Sequence, residues 1–294
     1  MELSIVDFGE TDLPGESLQD ILDYAVTAEQ TGFKRFWLGE HYGKKSLFNN
    51  PEPLLPAIAM VTQKIFVGTA GLLARHHAIH RVACSFSLLE KMFPGRIDLG
   101  LIAPLSILPS INDSFFAKST TEIFASYSQL FKDGSDSKGV FVDSTPAIWQ
   151  LTSSFKNYLS CRHLGPVNVS KTLFHANANF GPETDVILAI RDLHQQLGRS
   201  DLSVTVAIAC FVSVDLHRLM ACRQYYRKIL VPIVFENCVI ETPEIFKERI
   251  LELTHKYHTH DIIILNLARS YAEKSHCLQT ISSILNLQNA YHIK

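Results

Sequence analysis

Short apolar segments alternate with longer amphipathic segments from one end of the chain to the other, and this alternation constrains the fold more than any other feature. Apolar runs that are bounded by turn residues and followed by helix-length segments are typical of βαβ units with a parallel sheet. Eight such units within 294 residues favour an α/β fold of the (β/α)8 TIM-barrel type over a doubly wound sheet. The predicted strands are Leu3–Phe8, Arg35–Leu38, Ile65–Thr69, Arg96–Ile102, Ala147–Gln150, Pro166–Val169, Ser203–Ala209 and Asp261–Leu265.

Helices are predicted between and after these strands. Ser17 precedes good helix formers as an N-cap would, and Gly32 follows the last turn of the same helix as a C-cap would. No linker, repeat or low-complexity tract divides the chain, so residues 1–294 are predicted to form a single barrel domain. The predicted helices are Ser17–Thr31, Pro53–Thr62, Ile79–Met92, Thr120–Phe131, Ser154–His163, Glu183–Leu197, Leu216–Ile229, Pro243–His258 and Tyr271–Leu287.

The composition narrows the class of protein. Hydrophobic residues make up 47% of the chain and charged residues 19%, which is enough for a sizeable core. The formal net charge is −2 without a basic stripe, so no nucleic-acid surface is expected. The amino terminus lacks a signal-peptide pattern and the apolar runs are shorter than a membrane span of roughly 20 residues, so we expect a cytoplasmic protein outside the membrane. Six scattered cysteines without a Cys-x-x-Cys pair predict buried thiols.

The segment from Gly32 to Tyr42 carries the clearest signal for function. A helix ends at the glycine, an apolar strand follows, and the strand delivers Glu40 and His41 at its carboxyl end. Catalytic groups of a (β/α)8 barrel lie at that end of the strands. An imidazole titrates near neutral pH and can give or take a proton there, although a histidine packed at the barrel rim fits the same pattern. Glu40 is predicted to orient the loop or to brace a neighbouring helix, and a direct catalytic role is the alternative.

A second polar group follows the third predicted strand. Arg75, His76 and His77 stand together in a loop, where they fit either a substrate entrance or a solvated rim. Neighbouring histidines suggest a metal at first sight, but no thiolate or carboxylate accompanies them, so no metal site is expected.

Four segments together resemble the bacterial luciferase-like flavin-dependent oxidoreductases, a family in which monooxygenation is the commonest chemistry. The resemblance is strong over Ala28–Gly43 and Asn49–Leu101 and continues in Pro146–Ser154 and Thr242–Leu265. It implies a barrel of the luciferase-like type that is shortened over Ile102–Ala147. It also implies a homodimer and reduced FMN as the cofactor, which a separate flavin reductase supplies to many members. A deazaflavin is the less expected cofactor.

The resemblance also assigns roles near the predicted strand ends. His41 would lie beside the flavin and take part in proton handling. Thr69 and Ala70 would lie beneath the ring, where the family often has a cis peptide bond and the alternative is an ordinary tight turn. Tyr42, which is predicted to contact the substrate, stands where many relatives have a second histidine, and it keeps a hydrogen-bonding ring without titration near neutral pH.

Thr152, Ser153 and Ser154 lead from a predicted strand into a predicted helix. Hydroxyls and free N–H groups at a helix N-terminus form an anion site, and the resemblance assigns this one to the flavin phosphate. Ordinary N-capping by serine is the alternative.

The chain departs from the family after the fourth predicted strand. Relatives commonly have a Gly-Arg pair there whose arginine holds the phosphate, whereas this chain has Leu101, Ile102, Ala103 and Pro104. Either another cation replaces that arginine or flavin binds weakly and transiently.

Lys156 and Arg162 are the conceivable replacement cations. With these departures, the resemblance implies a monooxygenase that uses reduced FMN on a biosynthetic intermediate. The alternatives are a reductase of dehydroalanine or dehydrobutyrine in a modified peptide, and a non-catalytic partner subunit with a decayed flavin site. The expected substrate is therefore a small molecule or a peptide.

Overall fold

A computed structural model describes residues 1–11, 13–42, 46–74, 76–102, 122, 126–127, 129–131, 143–152, 168–172, 183–196, 198, 203–230 and 232–288. The strands in these ranges are β1 (Glu2–Asp7), β2 (Arg35–Leu38), β3 (Phe66–Thr69), β4 (Leu72–Leu73), β5 (Ile97–Ile102), β6 (Ala147–Thr152), β7 (Asn168–Thr172), β8 (Val204–Val212), β9 (Val239–Glu241) and β10 (Asp261–Asn266). The helices are α1 (Leu18–Gln30), α2 (Leu54–Val61), α3 (Ile79–Met92), α4 (Glu183–Gln196), α5 (Leu216–Ile229), α6 (Pro232–Glu236), α7 (Pro243–Lys256) and α8 (Tyr271–Leu285).

Eight of these strands form a closed parallel barrel. The order is β1, β2, β3, β5, β6, β7, β8 and β10, and β10 pairs with β1 to close the ring. The short strands β4 and β9 pair with β5 and β8 and lie outside the ring. The predicted (β/α)8 fold is confirmed. The predicted shortening over Ile102–Ala147 falls mostly on residues outside the described ranges.

Local sequence signals fix both ends of helix α1 and direct the chain from this helix into β2. The Asp20 carboxylate accepts from the backbone N–H of Ser17 over 2.7 Å, which fixes the start of the helix. At the other end Gly32 has φ of +85°, and the N–H of Phe33 donates to the Ala28 carbonyl over 3.0 Å. This left-handed residue reverses the chain within one turn and directs it into the barrel.

Both faces of the strands are buried, which explains why they occur in the sequence as continuous apolar runs. All nine residues of β8 are buried. One set of side chains fills the inside of the barrel, and the other packs against the helices. The inner set includes Val6, Trp37, Ala70, Trp149, Leu151, Ala207 and Ile263.

A buried polar cluster lies inside the barrel near the start of β2 and β5. Asp98, which is 0% exposed, accepts hydrogen bonds from Arg35 Nη1 at 3.2 Å, Trp37 Nε1 at 2.8 Å and Trp149 Nε1 at 3.0 Å. Burial raises the pKa of Asp98, although the Arg35 charge and the two indole N–H groups oppose the rise. This cluster holds three strands together far from the barrel mouth, so it stabilises the fold.

Several expectations differ from the structure. Strands β4 and β9 and helix α6 were not predicted. The predicted helix Ser154–His163 lies outside the described residues. Cys84 is exposed, whereas Cys210, Cys222 and Cys277 are buried, so the prediction of buried thiols is wrong for one position. None of the helices in the described part of the chain is long and apolar enough to cross a membrane.

Candidate functional site

The carboxyl ends of β1, β2 and β3 lie side by side at the mouth of the barrel. The Gly39 N–H donates to the Asp7 carbonyl and the Ala70 N–H donates to the Leu38 carbonyl, each over 2.8 Å. A Cβ atom on Gly39 would lie 2.1 Å from the Phe8 ring, so this close approach requires glycine. The chain after β2 therefore leaves the sheet between the ends of its two neighbours.

His41 lines a cavity of about 170 Å³ at this mouth. Its imidazole is half-buried and meets the Phe8 ring edge to face, with 6.1 Å between the ring centroids. The cavity extends from His41 to the ends of β8 and β10 and to helices α5 and α6. An imidazole in this position can exchange a proton with a molecule held in the cavity.

Glu40, the preceding residue, is hydrogen-bonded to the loops that follow β2 and β3. Its Oε2 accepts from the Leu73 N–H over 2.7 Å, and its Oε1 accepts from the Tyr42 hydroxyl over 2.6 Å. Nε2 of His77 lies 3.0 Å from Oε1 and 2.9 Å from Oε2. The Glu40 side chain is only 1% exposed, so it joins the two loops as a buried brace.

Charge stabilises this brace. Burial opposes ionisation of Glu40, but hydrogen bonds from His77, Tyr42 and the Leu73 N–H outweigh it and lower the pKa of Glu40. The hydrogen bond to Glu40 raises the pKa of His77 against the opposing effect of burial. Burial and the bond to Glu40 raise the pKa of Tyr42 to about 12, so its phenol remains a donor at neutral pH. Tyr42 and His77 both bind Glu40, and their predicted contact with substrate stays a prediction.

Thr69 and Ala70 stand at the end of β3, next to the end of β2. Thr69 is fully buried, and its hydroxyl donates to the Gly100 carbonyl over 2.9 Å and accepts from the Gly100 N–H over 3.1 Å. Its side chain thus extends the pairing between β3 and β5 by bonding to the β5 backbone, and Thr69 could reach a cofactor only through its own backbone. The expected cis bond between Thr69 and Ala70 is wrong: the bond is trans, and the Ala70 N–H continues the hydrogen bonding with β2.

The predicted phosphate turn is described only at its first residue. Thr152 is the last residue of β6 and is 3% exposed. Ser153, Ser154 and Arg75 lie outside the described residues, as do the candidate cations Lys156 and Arg162.

His76 lies beside the brace, with its ring centroid 6.4 Å from that of Tyr42. Within the described ranges, no three histidine, cysteine, aspartate or glutamate side chains are placed to hold a metal ion. His77 of this loop contributes its contacts with Glu40 to the barrel mouth.

Sequence reasoning missed several polar residues that line the cavity, among them Asp7, Asn266 and Lys274. The first two end barrel strands β1 and β10, and a polar residue at that position is a recognisable signal. Lys274 gives no such signal, because a single lysine on an amphipathic helix is normally exposed.

Comparison with known proteins relates this architecture to one family. A family model described as luciferase-like monooxygenase matches residues 1–106. The chain is 25% identical to the uncharacterized protein YwcH of Bacillus subtilis over 88% of this chain and 90% of that protein. It is 37% identical to the N-acetyl-S-alkylcysteine monooxygenase of the same organism, over 34% of this chain and 31% of that enzyme. The predicted resemblance is confirmed, and it supports an oxidoreductase.

Solved structures share the whole fold. Apo-MsnO8 matches with a TM-score of 0.77 at 17% identity, covering 97% of this chain and 98% of the other. The oxygenating constituent of 3,6-diketocamphane monooxygenase from Pseudomonas putida, in complex with FMN, matches with a TM-score of 0.65 at 15% identity over 96% and 97% of the two chains. An F420-dependent secondary alcohol dehydrogenase matches with a TM-score of 0.73 at 14% identity over 97% and 98%.

Proposed function

Because this chain is similar to the luciferase-like monooxygenases, we propose that it is a flavin-dependent monooxygenase that uses reduced FMN on a biosynthetic intermediate. The observation that carries the proposal is the position of His41, which lies at the tip of a barrel strand and lines the cavity at the barrel mouth. The neighbouring Glu40 is buried and bonded to two loops, so the strand tip is held in place by residues that do not line this cavity.

The ring of a flavin would lie at the end of β3. Ala70 and Gly71, which are both buried, have the smallest side chains, so a flat ring would meet little side-chain bulk there. Gly71 also has φ of +99°, and a Cβ at this position would lie 2.9 Å from Ile102 Cγ2. When bound, reduced FMN would supply the electrons with which oxygen is activated.

His41 would hold or move the proton that accompanies this chemistry, at a ring nitrogen facing the cavity. The apolar walls of the cavity would exclude water from the reacting groups. Glu40 would act indirectly, since its carboxylate is occupied by Leu73, Tyr42 and His77.

Binding of oxidised and reduced FMN to the purified protein tests the proposal. We expect reduced FMN to bind and its re-oxidation by oxygen to slow or accelerate measurably in the protein, with His41→Gln altering that rate. His255→Gln, on the exposed end of α7, is the matched control. A folded protein that binds neither form of FMN would rule out the proposed function and favour a non-catalytic partner subunit.

Two further measurements separate the remaining possibilities. F420 titrated in parallel distinguishes a deazaflavin enzyme, since related folds are found with FMN and with F420. Product formation under strict anaerobiosis with pre-reduced FMN would replace the monooxygenase by a hydride-donating reductase, of which a dehydroamino-acid reductase acting on a modified peptide is one form. We also propose a homodimer and a separate flavin reductase, for which gel filtration and reconstitution with a reductase are the tests.

A further inference from the structure

The inside of the barrel is polar near the amino-terminal ends of its strands. A (β/α)8 barrel is normally filled there by layers of bulky, branched apolar side chains. In this chain, five strands that are neighbours around the ring each place a polar residue at that level. These strands are β7, β8, β10, β1 and β2, and the residues are Ser170, Thr205, Asp261, Ser4 and Arg35.

Strand register shows that the first two of these side chains face inward. Register partners in a sheet point to the same face. Leu151 belongs to the apolar set inside the barrel and pairs with Ser170, which in turn pairs with Thr205. The hydroxyls of Ser170 and Thr205 therefore lie side by side on the inner wall, and both side chains are buried.

The other three side chains continue the same wall. Ser4 is buried and pairs with Ile263, which belongs to the inner apolar set. Asp261 lies two positions before Ile263 on β10, and side chains two positions apart on a strand share a face. Arg35 lies two positions before the inner residue Trp37 on β2. The five side chains thus form one inner polar band across five adjacent strands.

Each residue of the inner polar band has one buried polar atom without a hydrogen-bond partner among the described residues. Native proteins rarely leave such atoms unpaired, because the lost hydration is not recovered. Five of them on neighbouring strands therefore indicate a bound ligand. The atoms are Ser4 Oγ, Ser170 Oγ, Thr205 Oγ1, Asp261 Oδ1 and Arg35 Nε.

The chemistry of these atoms selects the ligand. Arg35 Nε can only donate a hydrogen bond, an ionised Asp261 can only accept, and the hydroxyls can do both. A metal ion would be repelled by the guanidinium of Arg35. An anion would be repelled by Asp261 and by Asp98, which lies 3.2 Å from Arg35. Water both donates and accepts, and a buried water typically bonds to about three polar groups.

The inner polar band is separated from the cavity at the barrel mouth. Two positions further along β1, β2, β8 and β10, the inward residues are Val6, Trp37, Ala207 and Ile263, and all four are buried. This apolar layer lies between the band and the mouth. Water held by the band should therefore exchange slowly with solvent.

We propose that the inner polar band is a binding site for a small group of ordered water molecules. They accept from Arg35 Nε, donate to Asp261 Oδ1 and bond to the hydroxyls of Ser4, Ser170 and Thr205. The waters hydrate two buried charged groups without opening the barrel to solvent. The site goes beyond the proposed function, since it does not require flavin or substrate.

Magnetic relaxation dispersion of the water oxygen nuclei, measured on the full-length flavin-free protein, counts slowly exchanging internal waters. We expect Ser170→Ala and Thr205→Val each to lower the dispersion amplitude by about one water molecule or more. Thr259→Val is the matched control, because its buried hydroxyl already donates to the Val204 carbonyl over 2.7 Å. An unchanged amplitude in both folded variants, or an equal fall in the control, would overturn the proposal.

Thermal unfolding of Thr205→Val is a second test, because a wet and a dry interior predict shifts of opposite sign. If the hydroxyl is bonded to water, the variant leaves that water with fewer partners, and the melting temperature should fall by about 2 °C or more. If the interior is dry, the variant removes an unpaired polar group and the melting temperature should rise. A rise or no change would overturn the proposal, as would a high-resolution crystal structure without water at these atoms.

Discussion

Replacing Asp98 by alanine should destabilise the barrel by an amount comparable to its whole free energy of unfolding. The variant leaves the Arg35 guanidinium without its partner, although that residue is only 6% exposed. Breaking one side of a buried ion pair costs about 3–5 kcal/mol. The indole N–H groups of Trp37 and Trp149 also lose their acceptor, at about 1–3 kcal/mol each. Because groups in one network are not additive, we expect a loss of about 5 kcal/mol.

Urea unfolding followed by circular dichroism measures this loss. Domains of this kind are stable by about 5–15 kcal/mol, so Asp98→Ala should unfold at much lower urea or fail to fold. The double variant Arg35→Met/Asp98→Ala should be more stable than Asp98→Ala, because the lone charge is gone. The control is Glu2→Gln, which breaks the more exposed ion pair between Glu2 and Lys34, the residue before β2. It should lower the free energy of unfolding by no more than about 1 kcal/mol. A loss below about 2 kcal/mol for Asp98→Ala, or a double variant less stable than the single, would refute the reasoning.

Three further changes have definite expected results. Burial raises the pKa of Asp261 from 3.8 to about 6, so the folded state binds this proton more tightly than the unfolded state does. The free energy of unfolding therefore falls as pH rises from about 4 to 6. In urea titrations, Asp261→Asn should flatten this fall and add up to about 3 kcal/mol of stability at pH 7. The pKa of His77 is raised above 6.5, so the bond of the charged imidazole to Glu40 stabilises the protein at low pH, and this stabilisation is lost as pH rises through the raised pKa. In a plot of melting temperature against pH, His77→Gln should remove this decrease. Gly32→Ala places a Cβ atom on a residue with φ of +85°, at 3.0 Å from the Leu287 backbone. Thermal unfolding should show a loss of stability of about 1–2 kcal/mol. Little change would show that the turn relaxes.

The barrel could be predicted because its strands are buried on both faces. They therefore occur in the sequence as continuous apolar runs between more polar segments. Strand β2 has the predicted bounds, Arg35–Leu38, since a left-handed glycine precedes it and a polar pair follows it. Strands β4 and β9 could not be predicted, because two or three residues are too few to show an alternating pattern.

The site was only partly predictable, because its contacts join residues far apart in sequence. His41 followed from its place at a strand tip, whereas the contact between Glu40 and His77 spans 37 positions and depends on how two loops fold back. The pair of Asp7 and Lys274 spans 267 positions and forms only when β10 closes the ring against β1. Hydrophobic pattern identifies which residues are buried, but it does not identify which buried charges meet.

The sharpest test of the site compares the proposed structural role of Glu40 with the proposed proton-handling role of His41. Glu40→Gln leaves at least one of its donors facing an amide N–H₂ group, so we expect a loss of about 1–3 kcal/mol in stability and a partial loss of flavin re-oxidation rate through misplacement of the strand tip. His41→Gln should lower stability by less than Glu40→Gln does. It should alter the proton-dependent rate by about a hundredfold or more.

Thermal unfolding and stopped-flow re-oxidation of bound reduced FMN measure the two effects on the same samples, with His255→Gln as the control. The roles are separated because the two side chains contact different surroundings: one is bonded to neighbouring loops and the other lines the cavity. If Glu40→Gln kept full stability but abolished re-oxidation, the carboxylate rather than the imidazole would be the proton-handling group. If His41→Gln lowered stability as much as Glu40→Gln, His41 would be a packed rim residue, and the proposed chemistry would lose its central group.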